Sequence, residues 1–386
     1  MGRNEGYPPK PIDDGIRATL ADFHPGIHYI PSSADDVVSG HGPYQAQSPK
    51  YYFSQRATPL FHSEMGMPNI VTLDSLRLMM PESAMWPPEG PIWGMHDFTN
   101  AGAQNAADFR ARVEKSYGSA SNVADWLWLA QFENYQDHRA MFEAQSKNRM
   151  GLLIWMSHSC WPSLVWQTYD YYLEPTAAYF GAKKGTEPLH IQWNAASGNI
   201  EVVNYSAGAA PSLTARVWIL NSDGAVKWEK SATLDSAEDS MAALFKMEYP
   251  AGLTPVHFIR LELRQGQKLV SENFYWRGVE EENYRALRAL PKAAIDVSTT
   301  TGRSGDRWFL TTTLTNPSKD PALLVRLKAV RAQTGDRILP AIYSDGYVPL
   351  MPGEKRSITT ELRDADTRGE KPRIVVEGFN VTANEK

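Results

Sequence analysis

The pattern of the chain changes near Pro188, and that change limits what its 386 residues can fold into. Up to about residue 187, short apolar runs alternate with helical periodicities. Gly26-Ile27-His28-Tyr29-Ile30 and Thr58-Pro59-Leu60-Phe61-His62 read as short strands bounded by Pro or Gly. Gly151-Leu152-Leu153-Ile154-Trp155-Met156 is a nearly continuous apolar run, of the kind buried on both faces of a parallel sheet. Between these the spacing predicts helices over 73–80, 106–117 and 122–147. Gly118 caps the second, and Ser121 or Asn122 opens the third. Within the third, Trp126, Leu129, Ala130, Phe132 and Tyr135 recur at three- and four-residue steps. Helix followed by apolar strand, repeated, argues for a parallel α/β architecture over residues 1–187.

After Pro188 the chain reads as short strands over 200–203, 214–220, 226–229, 256–263 and 270–276. Ser197-Gly198-Asn199, Ser222-Asp223-Gly224 and Gln265-Gly266-Gln267 supply turns. That texture suits an antiparallel sandwich of about 100 residues, expected over 188–290, with 280–290 as a charged, partly helical connector ending at Pro291. A second unit of the same kind is expected over 291–386, with strands over 308–314, 323–329, 356–361 and 374–381. Tandem sandwiches of this sort serve as scaffolds or glycan-contact modules more often than as catalytic ones.

Chemistry therefore belongs to the first half, and composition agrees. Seven of the 12 Trp and eight of the nine His lie at or before His190. A net charge of -5 gives no electrostatic case for a nucleic-acid or anionic-membrane partner. No apolar stretch approaches the length of a membrane-spanning helix. The single cysteine, Cys160, leaves no internal disulfide and no cysteine zinc site. No nucleotide, metal or Gly-x-Ser-x-Gly motif is present, so no cofactor is expected.

Two carboxylates stand in unusual settings. Glu5 follows Asn4 in Arg3-Asn4-Glu5-Gly6-Tyr7-Pro8-Pro9, and Glu64 sits in Phe61-His62-Ser63-Glu64-Met65-Gly66-Met67-Pro68, just after a short apolar strand. Each alone reads more readily as a surface or capping carboxylate. As a pair they suit retaining glycoside hydrolysis, in which one ionised carboxylate attacks the anomeric carbon and a nearby protonated one serves the leaving oxygen. Their mutual repulsion keeps the acid protonated until the nucleophile's charge is consumed.

The pair Asn4-Glu5, the later Glu64, the segment Gly42-Pro43-Tyr44 and the run from Gly151 to Pro162 resemble glycoside hydrolase family 2. Tyr169-Asp170-Tyr171-Tyr172 and the stretch from Ala178 to Gln192 sharpen the match towards exo-β-D-glucosaminidases and mannosylglycoprotein endo-β-mannosidases, with β-mannosidases as near relatives. The resemblance covers roughly residues 2 to 205. It implies the C-terminal part of a (β/α)8 barrel over 1–187, followed by two immunoglobulin-like sandwiches. It implies Glu5 as acid/base, Asn4 as its neighbour at the sugar 2-position, and Glu64 as nucleophile. Trp155 and Trp161 would floor the sugar site, although Trp155 reads equally as a barrel-core ring. His62, two residues before Glu64, either lines the pocket or is an inner-layer histidine. Tyr44 would hydrogen-bond the nucleophile.

Two departures qualify the resemblance. Ser159 stands where many members carry Asp or Asn, which puts the usual sugar-hydroxyl contact from that loop in doubt. A complete barrel takes about 250 residues, and the sequence before Glu5 holds no counterpart of the family's first domains and barrel strands. The expectation is a retaining β-glycosidase, on β-mannosides by the Asn4-Glu5 pair, alternatively on chitosan-type glucosaminides. A further alternative is a catalytically incompetent fragment with a binding or scaffold role. Its partners would be an oligosaccharide and the missing N-terminal half of the same enzyme. Family resemblance favours a periplasmic or extracellular location.

Overall fold

The structure, a computed structural model, describes residues 7–33, 35, 37–40, 42–55, 61–99, 105–147, 151–164 and 166–385. The chain opens with α1 (Lys10–Phe23), β1 (Val38–Ser39), α2 (Pro49–Gln55) and β2 (Phe61–Met65). There follow α3 (Leu73–Met79), α4 (Pro91–Met95), α5 (Ala106–Tyr117), α6 (Val123–Glu143), β3 (Leu152–Ile154) and α7 (Ala177–Gly185). The three strands pair in the order β1-β2-β3, all parallel, with Ser39 beside His62 and His62 beside Leu152. Parallel neighbours need a crossover: α2 bridges β1 to β2, and α3 to α6 bridge β2 to β3. Each step moves to the adjacent strand in the same direction, which is the winding of consecutive βα units.

Local chemistry sets the helix ends. The Thr72 hydroxyl caps α3, Asn105 accepts from the Asp108 amide at 3.1 Å, and Asn122 accepts from the Asp125 amide at 3.0 Å. Gly118, with φ +86°, closes α5, a backbone conformation costly for a side chain. Helix α6 carries the predicted apolar stripe, with Trp126, Leu129, Ala130 and Phe132 all buried. Its polar face is buried too. Asn134 and Gln131 hydrogen-bond the backbone of Pro68 and Ile70, and Arg139 reaches the Phe274 carbonyl at 2.6 Å. The helix is thus an axle between the parallel sheet and the β-rich remainder.

That remainder begins with β4 (Leu189–Trp193), β5 (Asn199–Asn204), β6 (Ala210–Asn221), β7 (Val226–Ser236), β8 (Ser240–Lys246), β9 (Val256–Gln265) and β10 (Lys268–Gly278). They form one sheet ordered β4-β5-β8 and another ordered β10-β9-β6-β7. Alternate residues Leu213, Ala215, Val217 and Ile219 of β6 meet Ile200 and Val202 in a shared core. A short 3-10 turn over Arg285–Ala289 leads into the next unit. This comprises β11 (Ala293–Ser304), β12 (Arg307–Thr315), β13 (Ala322–Arg331), β14 (Ile342–Tyr343), β15 (Val348–Leu350), β16 (Lys355–Arg363), β17 (Pro372–Glu377) and β18 (Val381–Glu385). Its sheets run β14-β16-β12-β11-β18 and β15-β13-β17. Arg326 binds Glu174 at 2.8 Å and Glu377 at 2.7 Å, and Lys328 binds Asp74 at 2.7 Å, tying this unit to the first half.

Three expectations need correction. Residues 27–30 form no strand, because they find no ladder partner among the described residues. The 151–156 run is not buried on both faces: Leu153, Trp155 and Met156 are exposed, since β3 pairs only with β2 among the described residues. The run 374–381 is broken by a turn at Gly378–Asn380, where Asn380 donates to the Pro291 and Pro321 carbonyls. Strand β4 was not expected, because its polar His190 and Gln192 are buried against α6 rather than facing water. No described helix is long and apolar enough to cross a membrane.

Candidate active site

Glu64 lies on β2, one residue before the strand ends, and is half-buried. His62, two residues before Glu64, is fully buried while Glu64 is not, and the ladder to β3 is irregular between His62 and Met65. The Gly42-Pro43-Tyr44 segment runs alongside, fixed by the Gly66 amide donating to the Pro43 carbonyl at 3.1 Å. The Tyr44 hydroxyl donates to the Gly40 carbonyl at 2.9 Å. Burial first, and then hydrogen bonding to the Glu64 carboxylate, push the Tyr44 phenol well above its ordinary range. Tyr44 therefore stays protonated beside Glu64, with its own proton directed to the Gly40 carbonyl.

The third wall comes from beyond β3. The Trp155 amide donates to the Met65 carbonyl at 2.9 Å, which places Trp155 immediately after the end of β2. A Cβ on Gly66 would lie 2.1 Å from the Trp155 carbonyl oxygen, so only glycine permits the two chains this approach. The Trp155 indole is 43% exposed in this chain. Trp161 is similarly open at 41% and stacks on His96 with centroids 6.3 Å apart and planes 18° apart. His96 in turn reaches the Pro162 carbonyl at 2.7 Å and the Met79 carbonyl at 2.9 Å, pinning the loop that carries Trp161. Ser159 is buried in that loop, and its hydroxyl makes no hydrogen bond among the described residues. The doubted sugar-hydroxyl contact thus has no exposed group at this position to make it.

Asn4 and Glu5 lie outside the described residues. The structure brings Glu64, Tyr44 and His62 together with the exit of β3. Two further contributors were not singled out from sequence. Trp166 meets Tyr44 edge-on at 5.6 Å, and its carbonyl accepts from the Asn69 amide nitrogen at 3.1 Å. Asn69 also approaches His138 on α6 at 3.3 Å, where burial pushes His138 down to about 4 and keeps it neutral. The partners of Trp166, Asn69 and His96 are many residues away, so no local pattern announces them. No cluster of three metal-ligating side chains occurs among the described residues. Two cavities, of about 530 Å³ beside β9 and β10 and about 390 Å³ between α3, α6 and the last sandwich, lie away from this site.

Comparison with known proteins places these features. Residues 273–381 match the exo-beta-D-glucosaminidase Ig-fold domain. An exo-beta-D-glucosaminidase of Streptomyces avermitilis is 33% identical over 95% of this chain and 45% of its own length. A mannosylglycoprotein endo-beta-mannosidase of Lilium longiflorum is 25% identical over 85% of the chain and 36% of its own. The crystal structure of the Amycolatopsis orientalis exo-chitosanase superposes with a TM-score of 0.87 at 28% identity, covering 97% of this chain and 50% of that one. A beta-D-mannosidase from Dictyoglomus thermophilum shares the fold, with a TM-score of 0.73 over 96% of this chain and 44% of that one, at 17% identity. The chain spans about half the length of the relatives it matches. Over that span its relatives are exo-β-D-glucosaminidases, a mannosylglycoprotein endo-β-mannosidase and β-mannosidases, members of glycoside hydrolase family 2.

Proposed function

We propose that the chain carries the nucleophile side of a retaining β-glycosidase active site, built on part of a (β/α)8 barrel, and that its sugar is a β-linked glucosamine. The observation that carries this is Glu64 at the end of a parallel strand, beside the protonated Tyr44 and next to the half-exposed Trp155 at the exit of β3. A parallel strand end is where such folds collect reacting groups. Glu64 attacks C1 through one carboxylate oxygen. As the C1–O bond to the leaving group breaks, Glu5 gives its proton to the departing oxygen and Glu64 forms the glycosyl ester. Glu5, now ionised, takes a proton from water, whose oxygen displaces Glu64 and restores the carboxylate. Trp155 and Trp161 offer apolar faces to the sugar ring while its hydroxyls remain in water.

The sugar preference rests on relatives. Exo-beta-D-glucosaminidases from five organisms align over 88–97% of the chain. They shift the weight from mannosides, which the Asn4-Glu5 pair favours, to glucosaminides. The test pairs p-nitrophenyl β-D-glucosaminide with the β-D-mannoside. The 386-residue chain is assayed alone and together with a polypeptide supplying the rest of the relatives' length. We expect little turnover from the chain alone and glucosaminide turnover from the assembled protein. In the assembled protein Glu64→Gln lowers turnover by about three orders of magnitude or more. Unchanged turnover in that variant refutes the nucleophile assignment, and faster mannoside hydrolysis restores the first reading. An assembled protein inert on both sugars favours a binding or scaffold role. Export of the whole enzyme is proposed from the same resemblance.

A further inference from the structure

A second built site lies in the first sandwich, remote from Glu64. Arg277 on β10 and His257 on β9 are directly opposite each other across the ladder and share one face. Both line the cavity of about 530 Å³, with Tyr249 and Leu253 on one side and Lys50 and Glu281 at the rim. That volume is within the range of small-ligand pockets.

The two inner groups are unusual. Arg277 is 9% exposed, yet its guanidinium has no ion pair with a carboxylate among the described residues. Its guanidinium donates to the Tyr284 hydroxyl at 3.0 Å and lies 4.7 Å from the Trp193 ring and 5.9 Å from the Tyr284 ring. Elsewhere a guanidinium this deep is neutralised: Arg326 holds two carboxylates. Buried charges are normally paired because desolvation is otherwise uncompensated. His257 is 2% exposed, and neither ring nitrogen is hydrogen-bonded. Burial and then Arg277 push it down to about 4; the Thr254 backbone opposes this weakly, from outside hydrogen-bond geometry. The neutral ring offers one donor and one acceptor. Tyr249 meets His257 edge-on at 5.7 Å and leaves about half of its surface open. Glu281, the acidic group at the rim, is exposed and paired with Lys50 at 3.8 Å, so the interior keeps a net positive charge.

We propose that this cavity binds a carboxylated monosaccharide, a uronic acid unit. The carboxylate pairs with Arg277, ring hydroxyls exchange hydrogen bonds with His257, and the pyranose face lies on Tyr249. The proposal is independent of the catalytic reading. It requires a ligand of opposite charge to the protonated amino sugar proposed for the first site.

The test is calorimetric titration of the 386-residue chain with sodium glucuronate, against glucose, glucosamine hydrochloride and sodium acetate. Glucuronate is expected to bind about tenfold or more tightly than glucose, from the charge-assisted bonds to Arg277. Glucosamine and acetate are expected to bind more weakly still. Arg277→Gln removes the preference for glucuronate over glucose. Tyr249→Ala, at an exposed position that leaves the melting temperature unchanged, weakens glucuronate severalfold and decides the matter if the Arg277 variant does not fold. Glu64→Gln leaves the binding intact. Equal affinity for glucuronate and glucose, acetate binding as tightly as glucuronate, no binding at millimolar concentration, or loss of binding in Glu64→Gln would each overturn the proposal.

Discussion

Replacing Glu143 with Leu tests the axle role of α6 most sharply. The Glu143 carboxylate is almost fully buried and accepts from Asn273 Nδ2 at 2.7 Å, the Tyr275 hydroxyl at 2.8 Å and His190 Nε2 at 3.1 Å, with Arg139 Nε at 3.9 Å. Leucine fills a similar volume but strands these donors between the first half and the first sandwich. Losing one partner of a buried charged network costs about 3–5 kcal/mol. With a urea dependence of about 2–3 kcal/mol per molar, the midpoint of the transition that separates the two units should fall by about 1–2 M.

The pH dependence gives a second readout. Burial lowers the His190 pKa, but the Glu143 and Glu187 hydrogen bonds outweigh it and raise the group above 6.5. Its stabilisation is therefore complete below about pH 6.5 and lost as pH rises through the folded value. Glu187 behaves oppositely. Burial raises it, but His190 and Lys184 bring it down to about 2. Its contribution is present above about pH 4.5 and lost as the solution is acidified towards 2. The wild-type network is thus strongest between about pH 4.5 and 6.5. Glu143→Leu should flatten the alkaline loss, because one of the two carboxylates that raise His190 is gone. Urea titrations at pH 5.5 and 8.5 measure both effects. A midpoint shift worth less than about 1 kcal/mol, or an unchanged alkaline slope, would refute the axle argument.

Other outcomes follow from single contacts. Gly66→Ala forces β2 and the β3 exit apart at the Trp155 carbonyl. It should cost about 1–3 kcal/mol, seen as a lower melting temperature together with changed tryptophan fluorescence. Asn122→Ala removes the α6 cap and should cost about 1 kcal/mol in a denaturant midpoint, whereas Asn122→Asp should recover most of it. Arg326→Met leaves Glu174 and Glu377 without their shared partner and should cost about 3–5 kcal/mol. In a double-mutant cycle, adding Glu174→Gln should return part of that loss.

Periodicity and caps located α3, α5, α6 and most sandwich strands, because these signals lie within one turn or one strand of the residue concerned. The same locality explains the misses. The 27–30 segment has strand composition, but a strand also needs a neighbour to pair with, and composition carries no information about neighbours. Half of α6 is polar by sequence and buried in fact, because burial depends on what packs against a face. Motif resemblance singled out Glu64, Tyr44, Trp155 and Trp161 as residues of the site. It could not reveal that His96 pins the Trp161 loop or that Trp166 wedges behind Tyr44, since those contacts join residues 66 and 122 positions apart.

By itself, then, the sequence indicated the longer helices and most sandwich strands, the placing of Glu64 near a strand end and the family that the chain resembles. The tertiary structure decided which side chains face water and which charges are partnered. It turned Trp155 outward, surrounded Glu143 with donors and left Arg277 buried beside an open cavity with no carboxylate ion pair among the described residues. Local pattern follows from backbone geometry a few residues long. Solvation and charge pairing are set by whatever the rest of the chain brings into contact.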